Sequence, residues 1–257
     1  MHMRRQAFSL VELSIVLVIL GLLVGGILAG QSLIRASELR AVSVEYNRYV
    51  TAVQAFRDKY LALPGDYANA SAVWGLAAAS NCYTAIGTGT QTCNGNGDGL
   101  INSTGTNSNE SYRLWQHLAN AGLIEGTYSG VDAADNGGAG GDTTDCPLSK
   151  TNALWYTSNF SSYANGVAND VFALNYGNVL QLGKYASTAA TPNVGFVKPE
   201  EMWNIDTKMD DGAPASGKLV TRRFNTCTNA AGVSDYAATY SLTSTSQGCT
   251  AVFRNAF

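Results

Sequence analysis

Glu12 stands at the head of eighteen residues without a charge, 13–30 (LSIVLVILGLLVGGILAG). An unpaired carboxylate carried into hydrocarbon costs about 2.5–3.5 kcal/mol, so at that depth it calls for a positive group on a neighbouring chain. Solvation at the membrane surface is the plainer alternative. A second group is rich in oxygen: Asn94-Gly-Asn96-Gly-Asp98-Gly-Leu100-Ile-Asn102 sets polar side chains at alternate positions with glycine for a sharp turn, a pattern suited to a hard cation. Asp206, Asp210 and Asp211 form a third group, read as a solvated turn before a second cation site, because nothing in the sequence brings further oxygens to them. His117 reads as a surface or satisfied residue, since no cysteine or serine motif accompanies it to make a nucleophile and base.

The segment 94–102 resembles the first half of an EF-hand calcium loop. Gly105 stands where the bidentate glutamate at loop position twelve belongs, and Glu110 substitutes only in a longer loop. The expected calcium set is therefore Asn94, Asn96, Asp98, Leu100, Asn102 and Glu110, weighed against a plain Asn-Gly turn. Calcium is the one cofactor the sequence points to, and none is required.

The elements that must position these groups begin with the N-terminal segment. Residues 8–30 are long enough to span a bilayer, and Arg4 and Arg5 before them set the direction, holding the start in the cytoplasm and exporting the remainder of the chain. A cleaved secretory signal is the bland alternative. No A-x-A site comes after the apolar block, however, and helix-compatible sequence continues for some thirty residues. All five cysteines lie downstream, in a compartment where disulfides persist. Connectivity cannot be read from sequence alone. Cys227 pairs with Cys249, and Cys82 with Cys93, on the ground that each pair brackets a short polar loop, leaving Cys146 over. With no C-x-x-C pair and distant histidines, His2 and His117, a zinc reading is weak. The formal charge of −3 and 14% charged residues give no basic field for a phosphate backbone, so nucleic acid is not an expected partner.

Arg4-Arg5-Gln6-Ala7-Phe8-Ser9-Leu10-Val11-Glu12-Leu13 resembles the prepilin signal of type IV pilins and type II secretion pseudopilins. The resemblance implies cleavage by a prepilin peptidase between Ala7 and Phe8, methylation of the new N-terminus, and pairing of Glu12 with the freed Phe8 amine of an adjacent subunit. It also implies an inner-membrane assembly platform and a homo-oligomeric filament. The family's usual residue before the cut is glycine, and here it is Ala7. The loop from Cys227 to Cys249 resembles the disulfide-bounded C-terminal region of pilins.

Beyond the membrane, Leu39, Val42, Tyr46, Tyr49, Val53, Phe56 and Tyr60 recur at steps of three and four, one helical stripe. Arg35, Glu38, Arg40, Glu45, Arg48, Arg57 and Asp58 are expected on its polar back. The same spacing serves a two-stranded coiled coil, but a head able to cover the stripe favours packing within the subunit. Leu63-Pro64-Gly65 ends the helix, so 8–61 would run about 80 Å at 1.5 Å per residue. Gly21, Gly25, Gly26 and Gly30 interrupt its apolar half, either as points of local melting or as close-packing sites.

In the head, Trp74 is the apolar anchor after the helix. Residues 110–121 are expected as a short helix with Asn107 as N-cap, Glu110 in a capping-box position, Leu114, Trp115 and Leu118 buried, and Gly122 as the stop. The glycine- and aspartate-rich segment 136–142 lacks the lysine and preceding strand of a phosphate loop. Residues 171–182 read as a hairpin turning at Gly177-Asn178, 218–224 as a strand with Arg222-Arg223 on a solvated edge, and 199–209 as a helix opened by Pro199.

The resulting fold class is α+β and pilin-like: a long N-terminal helix packed on an antiparallel sheet, with extra loops and short helices. The expected division is a leader 1–7, a membrane and filament-core helix 8–30, its amphipathic half 31–63, and a head 64–257. The expected function is structural, not enzymatic: a filament subunit of a type IV pilus or a type II secretion-like system. It would be single-pass in the inner membrane with a periplasmic head before assembly, and in a periplasmic or surface filament after. The rival is a membrane-anchored periplasmic module that binds calcium or another ligand and does not polymerise.

Overall fold

A computed structural model describes residues 9–79, 82, 84–102, 109–132, 142–160, 170–185 and 191–257. Helix α1 runs Leu10–Tyr60 without a break. It stops where Leu61 turns left-handed (φ 54°), just before Pro64, which would force an extended residue. The boundary between two compact units, Met1–Arg40 and Ala41–Phe257, falls inside α1.

In the first unit every Leu, Ile and Val from Leu10 to Ile34 is exposed, and a Cβ added at Gly21, Gly25, Gly26 or Gly30 would meet nothing within 4 Å. In the second unit the helix is one-sided: Val42, Tyr46, Tyr49, Val53 and Phe56 are buried, and Tyr60 is half-buried at the stripe's end.

The remaining elements are α2 (Ala70–Trp74), α3 (Glu110–Asn120), β1 (Leu154–Phe160), β2 (Gly177–Gly183), α4 (Pro199–Met209), β3 (Leu219–Val220) and β4 (Ala251–Phe253). The four strands form one antiparallel sheet in the order β1-β2-β4-β3. The architecture is α+β, with the stripe of α1 laid on aromatic side chains of this sheet. Tyr46 stacks on Phe253 of β4 at 4.2 Å between ring centroids, and Tyr49 meets Trp155 of β1 and Trp115 of α3 edge-on at 5.5 and 5.0 Å. Such pairs add about 0.5–1.5 kcal/mol each beyond the area they bury.

Several expectations are corrected. Glu45 is not on a solvated back: it is buried, and its carboxylate accepts the Trp155 indole N–H at 2.8 Å and the Lys150 backbone N–H at 3.1 Å. Gly177-Asn178 is not a hairpin turn. It opens β2, which pairs along its whole length with β1, from Leu154 opposite Gly183 to Phe160 opposite Gly177. The Asn178 side chain is instead an anchor: its Oδ1 accepts the Ile101 N–H at 3.0 Å, and its Nδ2 donates to the Gly99 carbonyl at 3.0 Å. Strand β3 covers two residues of the seven expected, because the chain leaves the ladder at Thr221, whose hydroxyl bonds the Thr250 carbonyl. Arg222 lies buried with its guanidinium on the Thr191 hydroxyl at 2.9 Å, far from the solvated edge the sequence implied. The N-cap of α3 is Asn109; Asn107 lies outside the described residues, and Glu110 occupies the first helical position instead of a capping-box position. Gly122 (φ 72°) does follow the helix as its stop.

Removing the Glu45 carboxylate leaves the buried Trp155 indole N–H unpaired and takes the partner from the Lys150 backbone N–H, which stands at an exposed residue. Glu45→Ala should lower unfolding stability by about 2–3 kcal/mol in a denaturant titration, more than a solvated glutamate would.

Candidate functional site

The first turn of α1 is held by its own side chains. The Glu12 carboxylate accepts the Ser9 N–H at 2.8 Å, and the Ser9 hydroxyl accepts the Val11 N–H at 3.3 Å. An acidic residue here also suits the positive N-terminal end of the helix. Ala7 and Phe8, the expected processing and pairing residues, lie outside the described residues. From Leu10 onward the helix is long and apolar enough to cross a bilayer.

Residues 2–28 match the prokaryotic N-terminal methylation motif. This is a prepilin-type signal. With the long apolar helix behind it, the N-terminus fits a pilin- or pseudopilin-type subunit and an inner-membrane anchor, and the motif implies processing by a prepilin peptidase. No curated protein and no solved structure matches the chain.

In that head, the 94–102 loop is organised around two carboxylates from outside it. Asp66 accepts the Gly97 N–H at 2.6 Å, the Asp98 N–H at 3.2 Å and the Gly99 N–H at 2.8 Å. Glu110 accepts the Asn96 N–H at 2.9 Å and the Asn102 N–H at 3.1 Å. The loop thus turns donors, not oxygens, toward these groups. Of the expected calcium set, the structure brings together Asp98 and Glu110, with Asp66 as a third carboxylate whose ligand oxygen lies within 4.8 Å of theirs. Asn94 Oδ1 accepts from Ser71, Asn96 Oδ1 from the Asp98 N–H, and Leu100 donates its N–H to Asp98. Asp66 is the residue sequence reasoning missed, although its place after Pro64-Gly65 marks it as a turn residue. Gly65 (φ 86°) is required there, since a Cβ would come to 2.5 Å from the Glu110 carbonyl oxygen.

Burial raises the Asp66 pKa and pushes Glu110 up to about 7, with the neighbouring carboxylates adding to both. Asp206, fully buried on α4, is likewise pushed to about 7 by burial, against the Tyr240 hydroxyl that donates to it at 2.8 Å. His117 shows the opposite shift, down to about 3, from burial and then from Arg113. Its Nδ1 accepts the Gly65 N–H at 2.9 Å, so Nε2 carries the proton and faces the Thr92 hydroxyl at 3.0 Å. It is a neutral tie between the end of α1 and residue 92. A groove of about 850 Å³ beside the loop, lined by Arg57, Tyr60, Asp66, Tyr67 and Asn178 among others, contains no histidine, cysteine or serine in its lining.

Cys82 is bridged to Cys93 and Cys227 to Cys249, while Cys146 is a buried free thiol whose pKa burial raises. Arg113, buried on α3, fastens the first bridge by donating to the carbonyls of Cys82 and Ala85 at 3.0 and 2.6 Å.

These shifts set a pH optimum. Glu110 and Asp206 have folded pKa values above their unfolded ones, so their contribution is present below about pH 4.5 and is lost as pH rises through about 7. His117 has a depressed folded pKa, so its contribution is present above about 6.5 and is lost as pH falls toward 3. Between about pH 4.5 and 6.5 the two carboxyl groups outweigh the single histidine, so in chelator-containing buffer unfolding stability should peak near pH 4, decline toward pH 7 and level off above it. Glu110→Gln should flatten the alkaline limb and leave the acid limb unchanged, measured by thermal unfolding of the full chain in detergent.

Proposed function

We propose that this protein is a structural subunit of a type IV pilus or a type II secretion-like filament. In this reading a prepilin peptidase removes residues 1–7, the chain is held in the inner membrane by residues 8–30, and the head 64–257 faces the periplasm. Residues 31–63 form the amphipathic link, and an assembly platform extracts subunits into a homo-oligomeric filament. The observation that carries it is the methylation motif at 2–28 leading into a helix whose apolar side chains are exposed all round, with one carboxylate, Glu12, in its first turn. An apolar surface of this kind is suited to lipid first and to copies of itself afterwards.

Glu12 gives assembly its register. In the membrane its charge is tolerable near the surface, at the end of the helix. In a filament core it must be neutralised, and the amine freed at Phe8 is the cation each incoming copy brings to the right depth. Glu12 already accepts the N–H of Ser9, next to that amine, so the carboxylate is oriented toward the end of the chain where the pairing occurs.

The expected outcome for Glu12→Ala is normal processing and membrane insertion with no filaments in sheared fractions. Wild-type filament yield from that variant would refute the pairing. Replacing Ala7 with a bulky residue should leave the precursor uncut, seen as loss of the seven-residue shortening at the N-terminus when prepilin peptidase is present.

A further inference from the structure

The C-terminal turn of α4 gathers three carboxylates. One oxygen each from Asp206, Asp210 and Asp211 lies within 4.8 Å of the other two. Asp210 accepts the backbone N–H groups of Lys218 and Leu219 on Oδ2, and Asp211 accepts the Ala213 N–H at 2.9 Å and the Ser216 hydroxyl at 2.6 Å. Asp206 differs from both. It is fully buried, its Oδ2 takes the Tyr240 hydroxyl, and its Oδ1 is buried with no hydrogen-bond partner. A carboxylate oxygen stranded in this way is among the costlier things a fold can hold.

The Tyr240 hydroxyl and the Gly212 backbone N–H favour the ionised Asp206, and neither carries a full positive charge. Among the described residues no lysine or arginine forms an ion pair with any of the three. The Lys218 ammonium lies over the Tyr46 ring, 5.0 Å from its centroid. The turn is also a helix C-terminus, whose exposed carbonyls carry negative partial charge and favour a cation. The Asp66, Asp98 and Glu110 group lacks this feature: both oxygens of Asp66 and of Glu110 are taken by backbone N–H groups.

We propose that Asp206, Asp210 and Asp211 bind a hard divalent cation, calcium, with the unpartnered Oδ1 of Asp206 as the buried ligand. An all-oxygen donor set selects hard cations over zinc or copper, and a site open on one side suits calcium, which tolerates irregular geometry and completes its shell with water. The ion closes the turn between α4 and β3. Through Asp206 and Tyr240 it also fastens the disulfide-bracketed segment 227–249 to α4. The inference does not depend on the filament reading.

The test uses the full chain in detergent, stripped with chelator and held at pH 8, where Asp206 is ionised. Titration with calcium chloride should show a bound ion and a rise in Tm of roughly 5 °C at saturation. Terbium should replace calcium at the site and emit on excitation of the adjacent Tyr240, with calcium quenching the signal. Asp211→Asn, an exposed change that spares the fold, should weaken calcium at least tenfold and abolish the terbium signal, and Asp206→Asn should do the same. Asp98→Asn should leave both readouts as in the wild type. The proposal is overturned if calcium leaves the wild-type Tm unchanged, or if Asp98→Asn removes binding while Asp211→Asn does not. It is equally overturned if Asp206→Asn raises Tm in chelator while calcium adds nothing to the wild type, since a proton then occupies the site. Should Asp206→Asn fail to fold, Asp211→Asn decides.

Discussion

A single helix whose surface changes character along its length constrains everything else in this protein. Up to Ile34 the apolar side chains of α1 point in every direction, and from Val42 they collapse to one stripe. An all-round apolar surface is stable only in lipid or among its own kind, whereas a stripe needs one partner, and the sheet with its aromatic face supplies it. The Glu45 carboxylate marks the change in surroundings. It sits within the stripe yet is satisfied by Trp155 and Lys150, so the helix is locked to β1 at one rotational setting that apolar contacts alone would leave loose.

The head uses charged side chains to organise backbone, a second recurring device. Asp66 and Glu110 collect five N–H groups from the 94–102 loop, Asp210 collects two from the start of β3, and Arg113 collects carbonyls around the first disulfide. With glycine- and asparagine-rich connections and a short sheet, there is little regular ladder to satisfy the main chain. Ionisable side chains take over that task, and burial raises the Asp66 and Glu110 pKa values against the N–H groups they accept and lowers that of Arg113.

The N-terminal half of the molecule was legible because its signals are local and periodic. The stripe from Val42 to Phe56 and the stop at Pro64 follow from side-chain spacing and one forced dihedral. Pro199 opened α4 for the same reason. The head was less legible because its key contacts join residues far apart in sequence. Glu45 looks like any polar residue on a helix until Trp155 arrives across a gap no local window spans. Gly177-Asn178 carries a turn signature, yet Asn178 spends its side chain on Gly99 and Ile101, and a strand results. β1 could have been found from Trp155, Tyr156 and Thr157, three residues that favour pleated backbone, but its alternation is hidden because both its faces are covered. Asp206 was placed in a solvated turn since nothing nearby in sequence announces Tyr240.

The lone thiol has a practical meaning. Cys146 has no measurable solvent exposure, its burial keeps it protonated, and the other four cysteines are already bridged. Copies packed side by side therefore have no native sulfur with which to crosslink. A fluorophore placed on an introduced surface cysteine would meet no competing background, which leaves the intact chain open to site-directed labelling.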